Sequence, residues 1–427
     1  MKKLNRISQM LLISAFSLFL IAAIFLTWRA RDKTYSFYEN RALAQRPAYS
    51  AEAVLDGRWF SDLENYLIDR AAGHNTLSLL NVRLDMALRR PVVNDVVVRD
   101  GMLLAMLPYE SADPAQLQAA AERMAERVQG VDALVSSYGG QFCHVIVPSH
   151  YAYNAERYPA YLNHREEDTA LKRTLYSAAL DRRGVAYVDL WDAFEALGRP
   201  ASLSSTVDHH YSVYGAYEIY RAAMERFRAD GAELSVSPPE AFEEKQAEQP
   251  YLGSRMRKLL GAWESDERLW YLTPKDPVPF TRFDNGKETE PTVFSFPAEG
   301  AEWVTYDFFM GGDIAHTVID THRDDLPNIL IYGDSYTNAI ETIAYVDFNE
   351  MHSLDFRHYS ELTLREYIAQ YQPDYVICVR DYASLLDPYG NGIGADCTVT
   401  NDIDQKHFAW VREACAEYAG GHSEEAV

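Results

Sequence analysis

From Met10 to Thr27 the chain is almost uninterruptedly apolar (MLLISAFSLFLIAAIFLT), and beyond that run its apolar positions become periodic. The run is about the length that spans a bilayer as a helix. A cleaved export signal is the rival reading, but the run is long for one, and Trp28-Arg29-Ala30-Arg31 makes a poor small-x-small cleavage site. It therefore reads as an uncleaved anchor. Lys2, Lys3 and Arg6 precede it and Arg29, Arg31 and Lys33 follow it, so charge alone leaves its orientation open. Tyr35 to Pro47 is polar and linker-like. Over Ala53 to Ala87 the period is helical, with Trp59, Phe60, Leu63, Tyr66 and Leu67 able to share one face.

Val96 to Leu104 is apolar on either side of Asp100-Gly101 and predicts a hairpin turned there. Asp113-Pro114 supplies an N-cap followed by a proline in the first turn, and Gly139-Gly140 closes the helix they open. Strands are then expected at Phe142 to Val147, Val185 to Leu190, Asn328 to Tyr332 and Tyr375 to Val379, with helices between several of them. Thr363-Leu364-Arg365-Glu366 fits a capping box ahead of the last strand. This alternation predicts an α/β fold with a parallel sheet flanked by helices. Between Ala229 and Val304 the rhythm breaks into prolines, acidic clusters such as Glu243-Glu244 and scattered aromatics. That stretch is expected to have little regular structure of its own and to act as an insertion or lid.

Composition narrows the partners. With 427 residues, 48% of them hydrophobic, the chain can bury a sizeable core. Its formal charge of −23, from 40 Lys and Arg against 63 Asp and Glu, argues against nucleic acid and against adhesion to anionic lipid through basic patches. A neutral polysaccharide or a small acyl donor fits better. Of the four cysteines, Cys143 and Cys378 lie in apolar strand-like runs and read as core residues. Cys397 and Cys415 lie in polar surroundings and are able to pair if the domain is exported. No spacing resembles a zinc site.

Two segments carry candidate chemistry. The apolar run Asn328 to Tyr332 ends abruptly in Gly333-Asp334-Ser335, which lifts a serine hydroxyl to the C-terminal edge of a sheet, where α/β proteins bind ligands. The second is Thr206-Val207-Asp208-His209-His210-Tyr211-Ser212, ahead of a helical segment from Val213 to Phe227. In extended backbone, residues two apart point the same way, so Asp208 can orient the His210 imidazole, and His210 can serve as base to a serine. The plainer reading of each is structural: Gly-Asp-Ser recurs by chance, and Asp208 or Ser212 can be a helix cap.

These motifs resemble a family. The Asp-x-His pair upstream of Gly-Asp-Ser-Tyr is similar to the SGNH-hydrolase-like domains of alginate O-acetyltransferases, and most of all to the bacterial DHHW family, whose name motif is matched by Asp208-His209-His210-Tyr211. The resemblance extends to Glu39-Asn40-Arg41-Ala42-Leu43 with Pro47, to Tyr251-Leu252-Gly253-Ser254, to Tyr306 through Asp313 and to Leu354 through Tyr359. Two positions depart from the family pattern. Tyr211 replaces the motif's Trp, and Asp313 stands where Asn is usual.

The resemblance implies Ser335 as nucleophile, His210 as general base and Asp208 as its orienting acid, with Asn338, Arg357 and Tyr211 as oxyanion or substrate-binding residues and with neither metal nor cofactor. It implies the following division: 1–28 cytoplasmic tip and transmembrane anchor, 29–94 linker and N-terminal helical segment, 95–228 first part of the SGNH-like domain, 229–303 insertion, 304–416 second part, 417–427 disordered tail. The expected protein is an O-acetyltransferase or acetylesterase, held by a single span in the cytoplasmic membrane with its C-terminal domain outside. It would act on a cell-envelope polysaccharide beside a membrane-bound O-acyltransferase that supplies acetyl groups. The alternative is an inactive glycan-binding or assembly protein of the same fold. A third reading takes Asp-His-His as the metal motif of DHH phosphoesterases, and it lacks the further Asp ligands that chemistry needs.

Overall fold

The computed structural model describes residues 2–29, 33–39, 41–108 and 113–387. Asn40, Cys397, Cys415 and the tail from Glu417 lie outside the described residues. The chain forms two compact units, residues 1–96 with 256–264 and residues 97–255 with 265–427.

The first unit includes helices α1 (Lys2–Arg29), α2 (Ala51–Leu55), α3 (Arg58–Asp69) and α4 (His74–Ala87). Within α1, Gln9–Arg29 is long and apolar enough to cross a bilayer, and its side chains are exposed. The helical period expected over Ala53 to Ala87 is broken into three helices. Gly57 and Gly73, both at positive φ, stand at the starts of α3 and α4 and turn the chain there. Asp69 ties the polar segment after α1 to α3: its oxygens accept from Arg41 Nη2 at 2.6 Å and Nη1 at 3.0 Å, and from the Ala44 backbone at 2.7 Å. Residues 256–264 join this unit through the buried Arg257, whose Nε donates to the Phe37 carbonyl at 3.0 Å.

The second unit opens with a hairpin, β1 (Val96–Arg99) and β2 (Met102–Ala105), whose Asp100-Gly101 turn has both residues at positive φ, as a two-residue hairpin loop requires. Helix α5 (Pro114–Ser137) starts at Asp113, whose carboxylate accepts from the Ala115 N–H. There follow β3 (Gln141–Val147), α6 (Glu166–Arg183), β4 (Tyr187–Asp189), α7 (Leu190–Ala196) and α8 (Val213–Ala229).

The expectation of little regular structure between 229 and 304 is corrected. Strands β5 (Phe242–Gln246) and β6 (Trp270–Pro274) pair antiparallel, and β7 (Thr281–Asp284) and β8 (Lys287–Thr289) form a second hairpin. The remaining elements are β9 (His316–Asp320), β10 (Ile329–Gly333), α9 (Asn338–Ala344), β11 (Glu350–Leu354), α10 (Leu364–Tyr371) and β12 (Tyr375–Asp381). The capping box at Thr363 and Glu366 is present.

Eight strands make the main sheet, in the order β8-β7-β9-β11-β10-β12-β3-β4. The five from β11 to β4 are parallel, and β9, β7 and β8 extend one edge antiparallel. The central strands are buried along their length, so their apolar residues run continuously instead of alternating. On one face Leu330, Tyr332, Val376 and Ile146 pack with Met124, Val128 and Val135 of α5 and with Leu364, Tyr367 and Ile368 of α10. Cys143 and Cys378 are buried inside the sheet, and burial pushes the Cys378 thiol up to about 12.

Candidate active site

The site is built at the C-terminal edge of β10. Gly333 lies beside Val379 of β12, and a Cβ there would stand 2.5 Å from the Val379 carbonyl oxygen, so only glycine fits this crossing. The next residue, Asp334, braces the turn. Its Oδ1 accepts from the Tyr336 N–H at 3.1 Å, and its Oδ2 takes the buried Arg380 guanidinium at 3.0 Å. Ser335 begins a short 3-10 turn that runs into α9.

The segment that faces it is held by its own backbone. Ser205 Oγ accepts from Asp208 N–H at 2.9 Å and Val207 N–H at 3.2 Å, and Ser212 caps α8 through the Gly215 N–H. The resulting turn folds the Asp208 carboxylate back onto its own loop. Its Oδ1 accepts from His209 N–H at 2.7 Å, His210 N–H at 2.9 Å and His210 Nδ1 at 2.6 Å. Its Oδ2 accepts from Ser254 N–H at 2.6 Å, and the Tyr251 hydroxyl also bonds this carboxylate. Burial opposes the charge on Asp208, but the His210 imidazole and these donors outweigh it and hold the carboxyl well below its usual range. An ionised carboxylate can only accept, so His210 carries its proton on Nδ1 and presents Nε2 as an acceptor. Ser335 Oγ lies 2.8 Å from that Nε2.

Aromatic rings fix the imidazole plane. Tyr306 stacks on His210 at 3.6 Å between centroids with the planes 4° apart, and Tyr336 closes a second side at 5.3 Å. The Tyr336 hydroxyl donates to the His209 carbonyl at 2.8 Å, so the residue after Ser335 ties the serine turn to the histidine loop. The His209 ring lies against His210 and its Nδ1 meets Ser254 Oγ at 2.7 Å.

The structure thus brings Ser335, His210 and Asp208 together. The other three expected site residues are placed differently. Tyr211 is buried among Tyr153 and Phe194 and donates to the Pro148 carbonyl at 2.6 Å, which commits its hydroxyl to the protein. Asn338 turns its amide to Asp313 Oδ1 at 3.4 Å. Arg357 is gripped by Asp355 at 2.9 Å (Nε) and 2.5 Å (Nη2) and by Asp313 at 3.0 Å. Burial lowers the Arg357 pKa, but Asp355 and Asp313 more than offset this and fix its positive charge. Asp313 is thereby matched by two donors.

Among the described residues, two groups of side chains have metal-ligating atoms within 4.8 Å of one another, Asp208 with His209 and His210, and Asp313 with Asp355 and His358. In the first the carboxylate oxygens are taken by N–H and O–H donors, and in the second the Arg357 guanidinium bridges the two carboxylates. Neither donor set suits a cation as it stands.

Tyr251, Ser254, Tyr306 and Tyr336 contribute to the site without having been singled out for it by chemistry. They belong to the conspicuous blocks of the sequence, Tyr251 to Ser254 and Tyr306 to Asp313 and the serine motif. That is the only signal they give, because aromatic packing on a loop has no periodicity.

A serine raised on a strand-to-helix turn of a mostly parallel sheet, with an imidazole and a carboxylate aligned behind it, is the arrangement that acyl transfer through serine requires. Residues 100–295 match the model of the SGNH hydrolase-like domain of acetyltransferase AlgX, a stretch that includes Asp208, His210 and Tyr251 to Ser254 and ends before Ser335. Over those residues the chain is similar to the SGNH hydrolase-like domain of that acetyltransferase. The fold is shared with Bacillus cereus PatB1, solved with a sulfonyl adduct, at 17% identity and a TM-score of 0.56 over 70% of this chain and 96% of that one. It is shared also with a DHHW family protein from Eubacterium siraeum, at 21% identity and a TM-score of 0.51 over 70% of this chain and 95% of the other. No curated protein matches the chain.

Proposed function

We propose that this chain is a membrane-anchored, extracytoplasmic O-acetyltransferase, or acetylesterase, acting on a cell-envelope polysaccharide through an acetyl-Ser335 intermediate. The observation that carries the reading is the line Ser335 Oγ to His210 Nε2 at 2.8 Å and His210 Nδ1 to Asp208 at 2.6 Å. Ser335 Oγ attacks the acetyl carbonyl of the donor while its proton passes to Nε2. The charge that develops on the carbonyl oxygen needs an N–H donor, and the Ser335 backbone amide is the nearest candidate. When the tetrahedral species collapses, His210 returns the proton to the leaving group. A sugar hydroxyl then attacks acetyl-Ser335, losing its proton to His210; the Oγ–acyl bond of Ser335 breaks as the tetrahedral species collapses, His210 returns the proton to Oγ, and the sugar leaves as its acetate ester; water in its place releases acetate.

Asp208 stays ionised throughout and stabilises the imidazolium. The bilayer-length helix α1 supplies the anchor, and the acetyl groups come from a membrane-bound O-acyltransferase partner. The net negative charge suits a neutral glycan better than a polyanion. Turnover of an aryl acetate by the wild type and by S335A and H210A tests the reading. Loss of about 10³-fold or more in both variants is expected. Wild-type turnover no faster than theirs would favour an inactive glycan-binding protein instead.

A further inference from the structure

The first unit carries an apolar surface that acyl transfer does not explain. On α4, Leu77, Leu80, Leu84 and Leu88, which follows its last residue, are 61%, 57%, 57% and 60% exposed. At 100° per residue they fall in an arc of about 80°. Val82, buried, and Leu79 and Met86, half-buried, lie on the other side of the helix. The exposed leucines are therefore a second apolar stripe, separate from the face that packs into the unit. The neighbouring α3 has one apolar face, an arc of about 120° in which Trp59, Leu63 and Tyr66 are half-buried while Phe60 and Leu67, at its edge, are 58% and 46% exposed. Single exposed apolar residues are ordinary on a soluble surface, whereas an exposed leucine stripe on one helix beside exposed apolar edge residues on the next marks a surface that something covers.

Their position indicates what covers them. The Ala72 N–H, in the short link between α3 and α4, donates to Thr27 Oγ1 at 3.0 Å. The corner of the two helices is thereby held against the last turns of α1, where the bilayer-length run gives way to Trp28 and Arg29. The composition is that of a helix lying in the interface, with Trp59 and Tyr66 on the apolar face and Arg70 reaching back so that its guanidinium lies 4.8 Å from the Tyr66 ring. From residue 51 to 90 the chain has six carboxylates against five arginines, so contact comes from apolar burial and not from attraction to anionic lipid.

We propose that α3 and α4 form a collar seated in the headgroup–acyl boundary of the bilayer that holds α1, with Phe60, Leu67, Leu77, Leu80 and Leu84 facing lipid. The collar rests on the reading of α1 as a membrane anchor. The full chain, reconstituted in phosphatidylcholine vesicles doped with a lipid bearing a photoactivatable acyl chain, tests both. Irradiation and peptide mapping are expected to place lipid adducts on α1 and on the peptides carrying Phe60, Leu67, Leu80 and Leu84. In L80E/L84E and F60E/L67E the α3 and α4 adducts should fall by about fivefold or more, with those on α1 unchanged. Since the substituted side chains are exposed, both variants should unfold in detergent at the wild-type temperature. Adducts confined to α1, or cross-links from α4 to a second copy of the chain, overturn the collar and leave the anchor standing. Absence of adducts on α1, with release of the chain by alkaline carbonate, overturns the anchor reading and the collar with it.

Discussion

Asp208 is the residue on which most of the site's hydrogen bonds converge, and its donors differ in what their loss would do. The Tyr251 hydroxyl stabilises the charged carboxylate. Y251F removes that donor from the carboxylate that orients His210 and is expected to lower kcat about 2- to 10-fold. S254A is the control. It removes the Oγ contact with His209 but leaves the Ser254 backbone N–H on Asp208, so kcat should stay within about twofold of wild type. D208N should lower kcat about 10³- to 10⁴-fold, because an amide can hold the imidazole in the wrong tautomer. Tyr306, flat against His210, shows why sequence alone undercounts such a site: a stacking residue nearly 100 positions away has no spacing rule to betray it.

At the scale of elements, the strands and caps that follow from local chemistry were legible and those that depend on neighbours were not. The runs at Phe142 to Val147 and Tyr375 to Val379 are buried on both faces and announce themselves as unbroken apolar sequence. Strands β9 and β11 mix His316, Thr317, Glu350 and His352 among their apolar residues, because their polar side chains find partners within the fold: His316 and His352 both bond the Tyr367 hydroxyl, and Glu350 pairs with His352. Such strands look like loops until the partner is known. The β7–β8 hairpin had a signal, Asn285-Gly286, both at positive φ, that the surrounding charges masked. Gly333 makes the sharpest element-scale prediction. G333A would force a Cβ against the Val379 carbonyl at 2.5 Å, which should cost about 1–3 kcal/mol in thermal unfolding and lower the rate more than the stability loss explains, since Ser335 moves with the turn.

For the whole molecule, the long apolar N-terminal helix, the helices that follow and the α/β sheet were legible because an unbroken apolar run, helix period and strand–helix alternation are distinct patterns. The noncontiguous path of the first unit, which takes in residues 256–264, was not, since it depends on contacts such as that of Arg257 with Phe37. Stability should depend on pH through two buried histidines. Burial pushes His144 down to about 3 and His150 down to about 4, so both fold in the neutral form. The unfolded chain protonates near pH 6.5; stability is therefore complete above that value and is lost as pH falls towards the folded values. At pH 5 the two together cost up to about 4 kcal/mol, and the unfolding midpoint in detergent should drop by roughly 5–10 °C between pH 7 and pH 5. A midpoint independent of pH over that range would show that neither histidine is buried neutral.

The acetyl-enzyme itself tests the central claim most directly. The full chain is mixed with an acetyl-ester donor, quenched in acid within the first turnovers, digested and sequenced by mass spectrometry. An acetyl group on Ser335, absent in S335A and accumulating in H210A only at a greatly reduced rate, is the predicted result. Donor turnover in the wild type that persists undiminished in S335A, or an acetyl group carried on another residue, would contradict it.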